Sequence, residues 1–420
     1  MASNGSARRI PASRYTSADF ATLELERMWP RVWQIACTLD HVSDAGDVFE
    51  YRAGPLSVLV VRGDDGQLRG FQNACRHRGN AICTGSAHGL SELRCPFHRW
   101  AYGLDGRLRE VPNRAAFGPI GSHDPGLVEV RVDSWGPLVF VNLDRDCMPL
   151  ADYLTPVPDD VAWVGMDDFR CLATVTTPVR ANWKVVADGF SETYHVPGLH
   201  PELNQTMDDT IPQRVWGHTG CSQQDYGVAN PRLRGITDED VWAGFVSTQG
   251  MRAGYDEKAP MPDLGGRSVG EVLAEGVVAT QAATGVDLSG LTTEQLLRLN
   301  QYNVFPNATV LVFPDLLTVL LGRPLAGPGG APAVDEAELV FYYFQRVPPG
   351  APRVRPADVV APEGQADLGL VFNQDLGILE SMQRGLHQPG LTHLTVSAFE
   401  CRLLNTHRNL ERYLGVGPDD

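Results

Sequence analysis

Cys75-Arg-His77 and Cys95-Pro-Phe-His98 each bring one thiol and one imidazole together, with seventeen residues between the pairs. Two thiolates and two imidazoles can hold a [2Fe–2S] cluster in which histidines replace cysteines on one iron. That ligand set is less anionic than four cysteines and raises the reduction potential. Two cysteines and two histidines can also hold a structural zinc ion. Zinc fingers, however, pair cysteine with cysteine and histidine with histidine, whereas each pair here is mixed. Gly79 and Pro96 suit loops that turn tightly around a cluster. About a hundred residues downstream, Glu192-Thr-Tyr-His195 and His200 have a spacing that suits a single iron. An electron-storing centre and an oxygen-binding centre in one polypeptide point to oxygenase chemistry.

The downstream stretch predicts a helix over 181–196, which would set Asp188, Glu192 and His195 at i, i+4 and i+7 on one face. Pro197-Gly198 would end that helix and let His200 fold back toward His195. The third ligand must come from elsewhere, and Asp375 is the candidate. A second helix expected over 366–386 places it on one face with Val371, Ile378, Leu379 and Met382. A carboxylate in an apolar stripe is costly to bury unless paired or bound to metal. Taken singly, these residues read as core histidines and a salt-bridged aspartate. Beside the first site, His195, His200 and Asp375 read as a 2-His-1-carboxylate iron triad.

Two domains are expected to position these groups, because 420 residues exceed a typical single domain. Residues 17–33 read as a short amphipathic helix with Ser17 as N-cap and Pro30 near its end. From about 35 to 150, short β-type runs such as 56–61 and 136–142 alternate with Asp-Gly turns, the pattern of a small all-β domain. Residues 151–163 read as a connector. The remainder mixes β-runs (173–178, 307–313, 316–321, 338–345) with helices. The Gly-, Asp- and Gln-rich segment 222–300 reads as loops with short helices. The expected division is 1–34 as an N-terminal helix packing on the catalytic domain, 35–150 as the cluster domain and 151–420 as the catalytic iron domain.

A net charge of −16 disfavours nucleic acid and anionic membrane, both of which need a basic footprint. It otherwise reads as that of a generically soluble acidic enzyme. No run of about 18 apolar residues is present to span a bilayer, and the N-terminus lacks an apolar signal region, so a cytoplasmic location is expected. Eight scattered cysteines do not make a disulfide framework in such a chain.

The stretch CRHRGNAIC…LRCPFHRWAYGLDGRL resembles the Rieske domain of ring-hydroxylating non-haem iron oxygenases. NWKxxxDGFSExYHxxxxH and QDxxxxExxQRGL resemble that family's iron-binding segments. The resemblance implies an α+β fold, with the small all-β Rieske domain beside a larger domain of antiparallel sheet flanked by helices, a START-like helix grip. It implies Cys75, His77, Cys95 and His98 as cluster ligands, and His195, His200 and Asp375 as ligands of a mononuclear Fe(II). Glu192 takes the place of the carboxylate that links the two centres, and Asp188 stands where many members carry asparagine, which implies a catalytic-site residue that supports the iron ligands from behind. Arg99 departs from the family, which usually has glycine there.

The resemblance also implies an oxygenase fed by a separate reductase, since no dinucleotide-binding fingerprint is present. It further implies a head-to-tail trimer, with or without a small β subunit. Hydroxylation of an apolar aromatic or alicyclic ring is the first expectation for substrate. Oxidative demethylation or quaternary-amine monooxygenation is the second. The run 303–313 and the strand 341–344 either line the pocket or pack as strand core. A non-enzymatic electron-transfer or zinc-stabilised binding protein would require a disrupted triad, and no Gly-x-Ser-x-Gly elbow supports a hydrolase.

Overall fold

Alternating β-branched and aromatic residues between glycine turns fold the first part of the chain into sheets. The computed structural model describes residues 8–118, 120 and 126–420. A seven-stranded antiparallel sheet runs in the spatial order Gln34–Thr38, Leu138–Asn142, Glu129–Trp135, Leu68–Gln72, Leu56–Arg62, Val48–Ala53, Ser86–Ala87. A separate three-stranded sheet joins Leu93–Arg94, Ala101–Tyr102 and Leu108–Glu110. Val48, Leu59, Val61 and Phe71 form one core with Cys75, Cys95, Trp100 and Tyr102, so the loops that carry the ligands rest on packed sheet.

The second part is built on a nine-stranded sheet centred on Leu316–Ala326, Pro332–Arg346 and Phe169–Val179. Its pairings are antiparallel except where Phe169–Val179 meets Ala357–Val360. Strand alternation sorts the side chains. Val310, Leu317, Val319, Tyr342 and Phe344 face one core, while Leu320, Leu339 and Phe341 face the other. Helices α1 (Ala18–Leu23), α2 (Trp183–Gly189), α3 (Pro201–Thr206), α4 (Asp238–Gln249), α5 (Val269–Ala282), α6 (Leu370–Leu386) and α7 (Cys401–Leu414) complete the described architecture, which is α+β. Among the described residues, no helix is long and apolar enough to cross a membrane.

Several local expectations are corrected here. The segment 222–300 carries the end of strand Thr219–Tyr226 and the helices α4 and α5, of 12 and 14 residues. Both helices open with a capping box, Thr237 with Asp240 and Ser268 with Glu271, a signal that is present in the sequence. The connector at 151–163 is also helical in part, with short helices at Leu150–Leu154 and Val157–Asp160. Ser17 does cap α1, accepting the Phe20 N–H at 3.3 Å. The chain then passes through a π-turn at Glu24–Met28 that turns Glu24 inward.

A strap from the catalytic part crosses the β domain at residues 353–358. Arg353 pairs with Asp40 at 3.0 Å, Arg355 with Asp47 at 3.3 Å, and the His41 ring with Asp358 at 3.0 Å. Asp40 and Asp47 are buried, so these are not surface pairs of negligible worth. Asp40 also accepts the Cys171 N–H at 2.8 Å, tying the strap to the sheet behind it.

Candidate metal centres

The two cluster loops share one turn design. In the first, Gly79 N–H donates to the Cys75 carbonyl and Cys75 N–H to the Asn80 carbonyl. In the second, Arg99 N–H donates to Cys95 and Cys95 N–H to Trp100. The equivalent fourth positions, Gly79 and Arg99, both have left-handed backbone, with φ of 76° and 62°. Glycine tolerates that conformation and arginine does not, at about 1 kcal/mol or more. Arg99→Gly should therefore stabilise the β domain by roughly 0.5–1 kcal/mol, net of glycine's greater freedom in the unfolded chain. Thermal bleaching of the cluster's visible absorbance would register the shift. An unchanged or lower midpoint would show that the arginine is held without strain.

Cys75 and Cys95 are buried, and the His77 and His98 rings meet with centroids 4.5 Å apart. Trp100 stacks flat on His77 at 5.0 Å and fixes its plane. His77 Nδ1 is buried with no hydrogen-bond partner, which fits a nitrogen that awaits a metal bond. The Tyr102 hydroxyl lies 3.3 Å from Cys75 Sγ, and burial keeps the phenol protonated. A hydrogen bond to a ligand sulfur adds to the rise in potential given by the two histidines.

The second centre forms where α2 stops early. The helix expected over 181–196 ends at Gly189, so Asp188, Glu192 and His195 do not share one helical face. The Ser191 N–H and hydroxyl both fold back onto the Asp188 carbonyl. The free Phe190 carbonyl is captured from the sheet, by Gln301 Nε2 at 2.6 Å and Asn303 Nδ2 at 3.2 Å. Asn303 is itself oriented by buried Arg402 of α7, 2.6 Å from its Oδ1. Pro197 begins a helical turn, Val196–Leu199, rather than ending one. That turn brings His200 back beneath His195, with ring centroids 5.1 Å apart.

From α6, Asp375 points into the same space. Donor atoms of His195, His200 and Asp375 all lie within 4.8 Å of one another. Asp375 Oδ1 is 3.0 Å from His200 Nε2 and 3.7 Å from His195 Nε2. The buried stripe of α6 is Asp375, Leu379, Gln383 and Leu386. Met382, expected on that face, is 38% exposed, and the helix begins at Leu370 because Gly369 precedes it at φ 89°. His195 Nδ1–H donates to Glu192 Oε1 at 2.7 Å and His200 Nδ1–H to Gln374 Oε1 at 2.7 Å. Both rings thus present Nε2 inward, the tautomer a metal requires. Burial alone would lower the His200 pKa, but the hydrogen bonds accepted by Asp375 and Gln374 leave it raised. Two imidazole nitrogens and a carboxylate with no other donor between them fit a divalent iron.

Asp188 belongs to a different cluster. Its Oδ2 accepts from the Tyr15 hydroxyl at 2.6 Å, and Tyr15 accepts from His407 at 2.8 Å, which Arg14 approaches at 3.3 Å. Beside it, Lys184 Nζ pairs with Glu24 at 2.7 Å, and Trp183 Nε1 donates to the other Glu24 oxygen. Burial lowers the Lys184 pKa, and the Glu24 charge opposes that shift. This network joins the N-terminal segment, α2 and α7, and none of its hydrogen bonds reaches the triad. Gln301, Asn303, Arg402 and Gln374 are site-shaping residues that carry no sequence signature of their own, apart from the place of Gln374 beside Asp375.

Residues 32–131 match the family model of the Rieske [2Fe-2S] domain, and residues 166–416 match that of the ring-hydroxylating alpha subunit catalytic domain. The glycine betaine monooxygenase oxygenase subunit of Chromohalobacter salexigens is 32% identical over 49% of this chain and 47% of its own length. The carnitine monooxygenase oxygenase subunit of Escherichia coli is 31% identical over 55% of this chain and 62% of its own. The chain thus spans about half the length of the curated relatives it matches. Among solved structures, the quaternary ammonium Rieske monooxygenase CntA in complex with L-carnitine superposes with a TM-score of 0.66 at 17% identity, over 97% of this chain and 96% of that one. Naphthalene 1,2-dioxygenase from Rhodococcus sp. superposes with a TM-score of 0.65 at 19% identity, over 97% and 94%. At such identities these likenesses speak to fold alone. The two family matches fall in order on the two halves that hold the two candidate centres, and the chain belongs to the Rieske oxygenases, as an alpha subunit of the ring-hydroxylating type.

Proposed function

We propose that this chain is the oxygenase component of a monooxygenase acting on a small quaternary-ammonium compound, with electrons from a separate reductase. The observation that carries the reading is its likeness to oxygenase subunits named for glycine betaine and carnitine. These relatives support the amine more strongly than the apolar ring that was the first expectation. The face of the sheet turned toward α2 and α6 agrees with this. Ser222, Gln224, Gln301, Asn303 and Thr309 make the strands' contribution polar and uncharged, with the buried Arg402 guanidinium set against Asn303, while Phe190, Phe341 and Phe372 add an aromatic cluster with centroids 5.1–6.2 Å apart. Aromatic faces attract a quaternary cation. Of the strand 341–344, only Phe341 and Tyr343 lie on this side. Tyr342 and Phe344 pack in the opposite core.

Cys75, His77, Cys95 and His98 would hold the cluster, and His195, His200 and Asp375 the iron. When bound, the two centres store an electron and activate dioxygen. Glu192 holds His195 through both its Nδ1–H and its backbone N–H, so the ring cannot rotate away. The net reaction inserts one oxygen atom of O₂ into a C–H bond beside nitrogen and reduces the other to water with two electrons and two protons. The resulting carbinol releases an amine, an aldehyde and a proton. We place the electron transfer between copies in a head-to-tail trimer, with or without a small β subunit. There His77 or His98 of one copy would meet Glu192 of the next. Inter-subunit electron transfer named for a structural neighbour supports this, as do the exposed Phe97 beside His98 and Tyr194 beside His195.

The test is coupled turnover with a surrogate reductase. Glycine betaine, carnitine and choline are expected to raise NADH consumption at least about tenfold over background, with matching aldehyde. Turnover of naphthalene or indole with none of the amines would replace this reading with ring hydroxylation.

A further inference from the structure

The two imidazoles of the triad have unlike partners behind them. His195 is backed by the carboxylate of Glu192 and His200 by the neutral amide of Gln374, each at 2.7 Å. The amide is not free to turn over, because Gln374 Nε2 lies 3.4 Å from Glu202 Oε2, an acceptor on the first turn of α3. Flipped, the amide would set its NH₂ against the His200 N–H and its oxygen against a carboxylate. Charge explains why an amide stands here. Asp375 and Glu192 together carry two negative charges, which balance a divalent ion. A third carboxylate beside buried His200, near Glu202, would burden the metal-free pocket with excess negative charge in a poorly solvated place, a cost that a bound cation offsets.

We propose that Gln374 is a positioning residue of the mononuclear centre. Held by Glu202, it locks His200 in the tautomer and ring plane that present Nε2 to the metal. The inference rests on the triad holding a metal, and the experiment separates the two. Outer partners of metal-bound histidines commonly contribute about 10–100-fold to metal affinity.

Fe(II) affinity of the mononuclear site would be measured anaerobically by chelator competition in the full chain, with the Rieske spectrum as internal evidence of an intact fold. Gln374→Leu, which keeps the bulk and removes the acceptor, is expected to weaken Fe(II) retention about 10–100-fold. Gln374→Glu, which keeps an acceptor at the same reach, should stay within about threefold of the parent, because the added charge favours the cation. Equal affinity in the parent and the leucine variant overturns the proposal, and so does a glutamate variant as weak as the leucine one. A parent chain that binds no Fe(II) with its Rieske signal intact overturns the triad reading itself.

Discussion

Asp375→Ala is expected to cut product formation to background while leaving the Rieske spectrum unchanged. Asp375 is the only carboxylate in the three-residue donor group and comes from α6, whereas the two histidines flank the turn Val196–Leu199. Without it, two imidazoles remain, and two nitrogen donors hold Fe(II) far more weakly than three mixed donors. The iron count should fall from about three to about two per chain, with inorganic sulfide constant at about two. The variant should fold, because removing the carboxylate relieves a buried charge rather than stranding one. A variant that keeps its third iron, or turns over at more than a few per cent of the parent, would remove Asp375 from the ligand set.

Glu24→Ala is expected to produce the largest loss of stability. Lys184 is fully buried and Glu24 nearly so, and their ion pair is 2.7 Å long. Removing one partner of such a pair costs about 3–5 kcal/mol, because the other charge stays buried. Trp183 Nε1 loses its acceptor in the same step. The catalytic domain should unfold about 10 °C lower in a thermal scan. Burial already depresses the Lys184 pKa below 10.5, and losing Glu24 depresses it further. Between the variant's folded value and the parent's, the folded parent keeps a proton that the folded variant has lost, so the deficit should shrink as pH rises through that window. The double variant Glu24→Leu, Lys184→Met should recover most of the loss. A double variant as unstable as the single one would show that Glu24 acts through shape and not charge.

The candidate ligands could be read from the sequence because their chemistry is encoded in residue type and short spacing. Cysteine and histidine in two mixed pairs, and two histidines five residues apart, have few other uses. Less legible was the backbone that presents them. A helix through 181–196 satisfies local propensity, yet the captors of the Phe190 carbonyl, Gln301 and Asn303, lie more than a hundred residues away. The turn before His200 was expected, but with Pro197 as terminator where it is in fact an initiator. Asp188 looked like a neighbour of the iron because a continuous helix would have made it one. Its partners, Tyr15 and His407, come from opposite ends of the chain. Helices α4 and α5 were hidden by weak apolar periodicity, although their capping boxes marked where each begins.

The strap at 353–358 has a consequence for assembly. A ring of identical copies closes only if every copy repeats the same angle between the surface that gives a contact and the surface that receives it. If the cluster domain gives and the iron domain receives, that angle is a property of the single chain, fixed by the two apolar cores that both domains share and by the strap, where Arg353, Arg355 and Asp358 grip Asp40, Asp47 and His41. A hinge there would let each copy choose its own angle and favour open strings over closed rings. In the proposed ring, the shared cores and the buried carboxylates under the strap would act as a protractor, setting how many copies complete the circle.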